Sequence, residues 1–428
     1  MVASTAVEWE DTPADEARAR RAAEIASLTG LRGFAALMVV LIHTSGRTTF
    51  DWLGLPTYGP VSLFVLSGFL LYRPWARWSL RLADRPALGR FAIRRVTRIF
   101  PAYWVVLLAV ALVIPAARPD GVEGWLRALS LTWIYEVEPT RAALLHTWSL
   151  ATEVSWYVAL PVMAWVTGRL ARRGSGTASL WTCAALISLA LPISIGWRLW
   201  TAEADLTGQL LYPYWLPSFL FCFAGGALVA LLAEAQRARL VPLSGLVRFC
   251  ADRWAPLVLT LALVALATSS LGGPSGFVPV TFGEDQLRTF TAASIACLLL
   301  CVVVFGPPQV PTNQLLSRRW FVAIGRWSYG IYLWHLPVIV ILERDITFPD
   351  GVLGLLWRLV WVLGISIPLG AATYAWVERP TIAWSRRPHL AGFRGRRAPA
   401  GDQSASSSTS AQPATAGPAT QRNTSPEA

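Results

Sequence analysis

The sequence predicts an all-α polytopic membrane protein of about ten transmembrane helices, with the N-terminus and C-terminus both cytoplasmic. Three observations carry this prediction. Of 428 residues, 54% are apolar and 14% charged, against roughly 25% charged in soluble domains. Apolar runs recur at 31–48, 58–74, 99–116, 146–167, 178–199, 212–233, 254–271, 288–306, 320–341 and 353–377, most of them long enough to cross a ~30 Å hydrocarbon core as a helix. The charges between the runs alternate in sign from one loop to the next, as the positive-inside rule requires. Nothing shows the ten-residue alternation of a membrane β-barrel.

The first span follows a polar, mixed-charge segment, 1–26, with no cleavable signal pattern, and reads as a retained anchor. Spans two and three enclose the most basic loop, with seven Arg and one Asp from Arg77 to Arg98. Spans four and five enclose Arg169, Arg172 and Arg173; six and seven enclose Arg237, Arg239, Arg248 and Arg253; eight and nine enclose Arg318 and Arg319. The tenth leads to Arg386, Arg387, Arg394, Arg396 and Arg397. The loops on the other side carry Asp120, Glu123, Glu136, Glu138, Glu203, Asp205, Glu284, Asp285, Glu343, Asp345 and Asp350. The net charge of +12 therefore belongs to topology and not to nucleic-acid binding. The longest outer loop, 117–145, holds WLRALSLTWIY, too short to span and suited to lie at the interface or dip back as a lid.

One membrane domain, 27–380, is expected. The segment 381–428 begins with the basic RRPHLAGFRGRR, a juxtamembrane anchor for anionic lipid. From 399 it turns Ser/Ala/Pro/Thr-rich and is expected to be a disordered cytoplasmic tail. Five cysteines are scattered; Cys297 and Cys301 share a helix face without a third ligand, so packing is expected and no metal site.

Ionisable groups inside spans are costly and point to function. Arg32 and His43 are eleven residues apart, three turns plus about 20°, so they share a helix face at a separation of about 16 Å. Alone, Arg32 at the inner end is able to snorkel to headgroups. The fourth span opens HTWSLATEVSWYVALP, with His146, Ser149 and Glu153 on one face. Counting the helical rise, His43 lies about 18 Å, Glu153 about 20 Å and His335 (in GRWSYGIYLWHLPV) about 22 Å above the inner surface. Three spans thus bring His, carboxylate and His to one depth, and a His paired with a carboxylate is a means of general base catalysis. A helix–helix hydrogen bond is the structural alternative. In FAIRRVTRIFPAYW, Arg94, Arg95 and Arg98 form a cationic face at the inner rim, either topological or a bidentate phosphate clamp that Arg32 extends. Ser62, Ser67 and Gly68 of YGPVSLFVLSGFLLYRPW read as small residues for close helix packing.

These stretches together resemble the membrane-bound acyltransferase-3 family over about 27–380. The matching pieces are Arg32 with ten residues before His43, SLFVLSGFLL, RRVTRIFPAY, HTWSLATEVSWY and GRWSYGIYLWH. The resemblance implies an integral O-acyltransferase of the bacterial inner (plasma) membrane, which moves an acyl group, often acetyl, from cytoplasmic acyl-CoA to a hydroxyl. Family acceptors are envelope glycans, peptidoglycan sugars, lipids or antibiotics, so a secondary metabolite such as a macrolide is an alternative acceptor. The partners implied are acyl-CoA (acetyl-CoA above all) as co-substrate, the hydroxyl-bearing acceptor and the bilayer, with no bound cofactor. His43 is implied as catalytic base with Glu153 orienting it or stabilising its charge, and Arg32, Arg95 and Arg98 as donor-binding residues. Some relatives carry a differently spaced arginine pair, which leaves Arg94 as a further candidate. Trp148, Ser149, Tyr329 and His335 are candidates for acceptor or oxyanion contacts, and nothing in the sequence selects among them. Larger relatives append an extracytoplasmic esterase-like domain; none is seen here, so transfer is expected to be completed by the membrane domain or a separate partner.

Two other classes compete. A proton-coupled transporter also needs intramembrane Arg, Glu and His, but no inverted repeat or matched pair of broken helices is seen. A scaffold subunit leaves the common depth of the three polar groups unexplained.

Overall fold

Packing of a bundle whose helices carry apolar residues on most of their faces requires small residues where backbones cross, and glycines supply them. A Cβ on Gly226 would stand 1.8 Å from the Val65 carbonyl oxygen, and one on Gly68 2.0 Å from that of Phe223. These two positions let the second and eighth helices run against each other with their backbones in contact. The expectation of close packing at Gly68 is met, while Ser62 donates to the Gly59 carbonyl within its own helix.

The computed structural model describes residues 13–46, 48–53, 58–135, 142–203, 212–275 and 278–387, all within one unit of backbone contacts, Met1–Gly392. The expectations for 1–12, Glu136, Glu138, Asp205 and the tail from 388 fall outside the described residues. The helices are α1 (Pro13–Ser45), α2 (Tyr58–Ser79), α3 (Leu88–Val113), α4 (Gly121–Ser130), α5 (Trp148–Ala171), α6 (Gly176–Ser188), α7 (Ala190–Glu203) and α8 (Leu216–Arg237). Then follow α9 (Ser244–Ala251), α10 (Ala255–Ala267), α11 (Phe282–Phe305), α12 (Pro311–Leu316), α13 (Arg319–Asp345), α14 (Gly351–Thr373) and α15 (Arg379–Trp384). A π-helical turn, Tyr374–Glu378, joins the last two. No strand occurs among the described residues. Local signals set several of the starts. Proline occupies the first turn of α8, α10 and α12, where its missing N–H costs nothing. Thr281 and Glu284 close a capping box on α11, which satisfies two orphan donors.

This is a multi-pass helical membrane protein. Among the described residues, seven stretches are long and apolar enough to cross a membrane: Arg21–Ser45, Asp51–Ser79, Leu88–Val113, Gly176–Glu203, Tyr212–Arg237, Phe282–Phe305 and Gly351–Trp384. The pair α9 and α10, bent by 79°, passes the same test only when taken together. Helices α5 and α13, of 24 and 27 residues, reach about 36 and 40 Å but carry Glu153 and His335 along their length. Seven of the ten expected spans fall on these stretches and one on the bent pair, while the fourth and ninth fall on α5 and α13, which do not pass the same test. In the loop read as interfacial, α4 spans ten residues and is tied to α3, because Tyr103 and Trp104 donate to the Ala128 and Leu129 carbonyls at 2.7 and 2.9 Å.

Helix α2 lies along α8, and α1 runs along α13, which in turn packs on α14. At the α1–α13 crossing a Cβ on Gly325 would stand 1.9 Å from the Thr29 carbonyl. Ion pairs fix both ends of the bundle. At the Arg32 end, buried Glu234 of α8 accepts from Arg73 of α2 at 2.6 Å, and Glu24 of α1 pairs with Arg73 and Arg237. At the other end, buried Arg198 of α7 meets Asp285 at 2.5 Å and Gln286 at 2.8 Å on α11.

Candidate active site

Between α1, α2, α3, α5 and α13 lies a cavity of about 120 Å³. Its lining follows from helical periodicity. Arg32 and Ala36 are one turn apart on α1; Ser149, Glu153 and Tyr157 succeed one another every four residues on α5; Ser328, Tyr329 and Tyr332 share a face of α13. Helix α3 contributes Arg95 and Arg98, and α2 contributes Ser67.

One end of the cavity is cationic. Three guanidinium groups line it against one carboxylate, Glu153. Arg98 makes an ion pair with Glu378, whose side chain is wholly buried on the π-helical turn, and its guanidinium also covers the Tyr329 ring at 5.6 Å. Arg95 is held by aromatic faces, over Phe91 at 5.9 Å and Tyr157 at 5.7 Å. Arg94 is on the exposed side of α3 and is not among the lining residues. Adjacent helical positions differ by about 100°, so Arg94 and Arg95 cannot both face inward.

Glu153 accepts from two hydroxyls, Ser67 on α2 and Tyr157 on its own helix, the latter at 2.6 Å. It is thereby fixed on the same wall as the arginines. Ser67, read from the sequence as a packing residue, is instead a donor to this carboxylate.

Beyond the Tyr332 end of the cavity lies a cluster of histidines. His43 and His335 have ring centroids 5.0 Å apart, and His335 and His146 4.9 Å. Three of the chain's four histidines thus meet from α1, from α13 and from the 3-10 turn Ala142–Thr147 that precedes α5. His43 Nδ1 donates to the Val39 carbonyl at 2.8 Å, and His335 Nδ1 donates to that of Tyr332 at 2.6 Å. A carbonyl only accepts, so each Nδ1 carries a proton. None of the three histidines is among the described residues that line the cavity.

Tyr332 joins the cavity to this cluster. It lines the cavity, its hydroxyl is 2.9 Å from Ser149 Oγ and donates to the His146 carbonyl, and its ring lies 5.0 Å from that of His146. Of the other candidates, Tyr329 lines the cavity with its hydroxyl given to the Ile99 carbonyl at 2.8 Å. Trp148 packs outside it against Tyr214 and Phe219 at 4.6 and 5.4 Å. Among the described residues no group of His, Cys, Asp and Glu has the geometry to hold a metal ion, and the five cysteines are free thiols.

Sequence reasoning missed Tyr332, Tyr157 and Glu378. Tyr157 was legible as the position four after Glu153.

An all-α, multi-pass bundle with a buried carboxylate, arginines and histidines around an internal cavity defines a membrane-embedded catalyst or carrier. The comparison with known proteins decides between them. The acyltransferase-3 family, described as an acyltransferase domain, matches residues 25–376, and the chain belongs to it; it is an acyltransferase. It is 28% identical over 345 residues to the acyltransferase MdmB of Streptomyces mycarofaciens, covering 74% of this chain and 80% of that protein. It is 24% identical over 382 residues to the peptidoglycan O-acetyltransferase OatA of Listeria monocytogenes serovar 1/2a, covering 83% of this chain and 55% of that protein. The chain therefore spans little more than half the length of the peptidoglycan enzyme.

Proposed function

We propose that the chain is an O-acyltransferase of the bacterial inner membrane. It takes an acyl group, acetyl by preference, from cytoplasmic acyl-CoA and places it on a hydroxyl of an envelope carbohydrate. The observation that carries this reading is the cavity itself, which runs from three guanidinium groups to the Tyr332–Ser149 pair that adjoins the histidines.

Arg32, Arg95 and Arg98 hold the phosphates of the donor, for which the guanidinium fork is suited. The pantetheine arm extends along the cavity for the ~16 Å that eleven helical residues place between Arg32 and His43. His43 Nε2 removes the proton from the acceptor hydroxyl as its oxygen attacks the thioester carbonyl. The carbon–sulfur bond then breaks and CoA leaves as the thiolate. The Ser149 hydroxyl, on turning from the Tyr332 oxygen that it meets at rest, donates to the developing oxyanion, where one preorganised donor contributes about 3 kcal/mol. Glu153, which lines the cavity with the arginines, offsets part of their charge.

The test is thiol release from acetyl-CoA by the purified protein in lipid nanodiscs, with an envelope-sugar extract as acceptor. Release is expected to need both the extract and His43, and His43→Ala is expected to abolish it while acetyl-CoA binding persists. Undiminished release by His43→Ala would overturn the role of the base. Absence of acetyl-CoA binding by the wild type would overturn the donor assignment.

A further inference from the structure

The reading above uses one histidine, yet three are assembled. His335 is the middle ring, within 5.0 Å of the other two by ring centroid. The rings are in contact, although His335 Nε2 bonds to neither neighbour at rest; a hydrogen bond between them forms once one ring carries the extra proton. His335 has no solvent exposure. Its Nδ1–H is committed to the Tyr332 carbonyl, and its Nε2 has no hydrogen-bond partner among the described residues. His146 is buried as well, and neither of its ring nitrogens has such a partner. Leaving a buried polar atom unpaired costs about 1–3 kcal/mol, and this cluster does so at three atoms. A core chosen only for stability would place apolar residues here.

The tautomer decides what His335 is able to do. With Nδ1–H bonded to a carbonyl, neutral His335 offers a lone pair at Nε2 and has no donor for an oxyanion. It is therefore a proton acceptor, and the group facing it is the base of the reaction.

We propose that His335 and His146 extend His43 into a proton relay, an inference that rests on the acyl-transfer reading above. The acceptor O–H bond breaks and its proton goes to His43 Nε2, while the acceptor oxygen bonds to the acyl carbon and the carbon–sulfur electron pair leaves with CoA. The proton then passes from His43 to His335 Nε2. The imidazolium so formed is held by the Tyr332 carbonyl. From there the proton passes to His146, beyond the Tyr332 end of the cavity, and through it towards solvent. The thiolate collects a proton from solvent at the arginine end. His43 is thus reset without waiting for the thiolate, and the overall reaction balances. Tyr332 is a positioning residue for this path: its carbonyl fixes the His335 ring and its hydroxyl holds the His146 backbone.

Two measurements test the relay. In kinetics, His335→Gln keeps a polar side chain that cannot shuttle a proton; kcat is expected to fall about 100-fold, the low end of general-base effects, with the KM and Kd for acetyl-CoA unchanged. His146→Gln is expected to give a smaller fall in kcat alone. Wild-type kcat in His335→Gln overturns the relay, and so does a loss confined to acetyl-CoA affinity. The second measurement does not depend on turnover: ¹⁵N spectra of the histidine-labelled wild type in nanodiscs. Nδ1–H with an unprotonated Nε2 is expected for His335, assigned by its loss in His335→Gln, and an Nε2–H tautomer overturns the proposal. If the wild type shows no acyl transfer, the enzymatic reading fails by itself, and the tautomer still decides whether His335 is built to accept a proton.

Discussion

Arg95 and Arg98 are three residues apart on one helix and line the same cavity, yet their replacement is expected to have different consequences. Arg98 is paired with Glu378, a carboxylate with no exposed surface. Arg98→Gln leaves that charge buried without its ion pair, a change that costs about 3–5 kcal/mol. Arg95 is held by the faces of Phe91 and Tyr157, each contact contributing about 0.5–1 kcal/mol, so Arg95→Gln is expected to cost no more than about 2 kcal/mol. On the proposed donor assignment, both substitutions remove a charged hydrogen bond to phosphate, which contributes about 1.5–3 kcal/mol and corresponds to roughly 10- to 150-fold in Kd. The assay pairs acetyl-CoA titration with thermal unfolding of the protein in nanodiscs. Arg95→Gln is expected to bind weakly and melt close to wild type. Arg98→Gln is expected to bind weakly and melt far lower. The double substitution Arg98→Gln/Glu378→Gln, which removes both charges, is expected to regain most of the stability and none of the affinity, a non-additivity that marks a direct pair. Wild-type acetyl-CoA affinity in a well-folded Arg95→Gln protein would refute the reasoning, because no other function is assigned to a guanidinium held only by aromatic faces.

Further predictions follow from the same geometry. Gly226→Leu forces a side chain into the Val65 carbonyl, 1.8 Å from the new Cβ, and is expected to abolish a monodisperse peak in size-exclusion chromatography. Gly364→Ala, which meets nothing within 4 Å, is expected to leave the elution unchanged and to stabilise by up to about 1 kcal/mol in thermal unfolding. Tyr157→Phe removes one of the two hydroxyls on Glu153; a loss of about 1 kcal/mol is expected as an approximately fivefold fall in kcat/KM for thiol release, and Ser67→Ala is expected to match it.

The common depth of His43 and His335 was legible from sequence because it depends on helical rise, but the third group at their level is His146 and not Glu153. Counting residues brought His43, Glu153 and His335 to one level, and the structure places His43 and His335 ring to ring. Rotation about the helix axis was not legible, since it is set by which face a neighbour covers. That is why Arg94 and Arg95 read as equals and only Arg95 faces the cavity. It is also why Glu153 was assigned to a histidine, whereas its hydroxyl donors are Ser67 and Tyr157. Glu378 was missed for a different reason. The last apolar run ends one residue before it, and the π-helical turn that carries its side chain into the bundle leaves no periodic trace in sequence. Such turns are rare and recur at functional sites, which agrees with its pairing to a cavity arginine.

The distribution of charge along the cavity suits the proposed donor, which is long and two-ended. Arginines cannot shed their charge, and gathering three of them inside a bundle is unfavourable unless anions compensate. Glu153 and Glu378 supply two carboxylates; the third charge is balanced when phosphate enters. The opposite end carries the Ser149 and Tyr332 hydroxyls, which are uncharged, with the histidine cluster beyond them. A ligand with charge at both ends would strand one of them beside groups that offer it no counter-ion, and a short anion would never reach Tyr332. A polyphosphate joined to an uncharged thioester by a flexible arm satisfies both ends together. Its binding is therefore expected to split on dissection: coenzyme A lacking the acyl group should retain most of the affinity of acetyl-CoA, and an acetylated pantetheine without phosphates should retain almost none. The reverse order in a competition titration would place the donor outside this cavity.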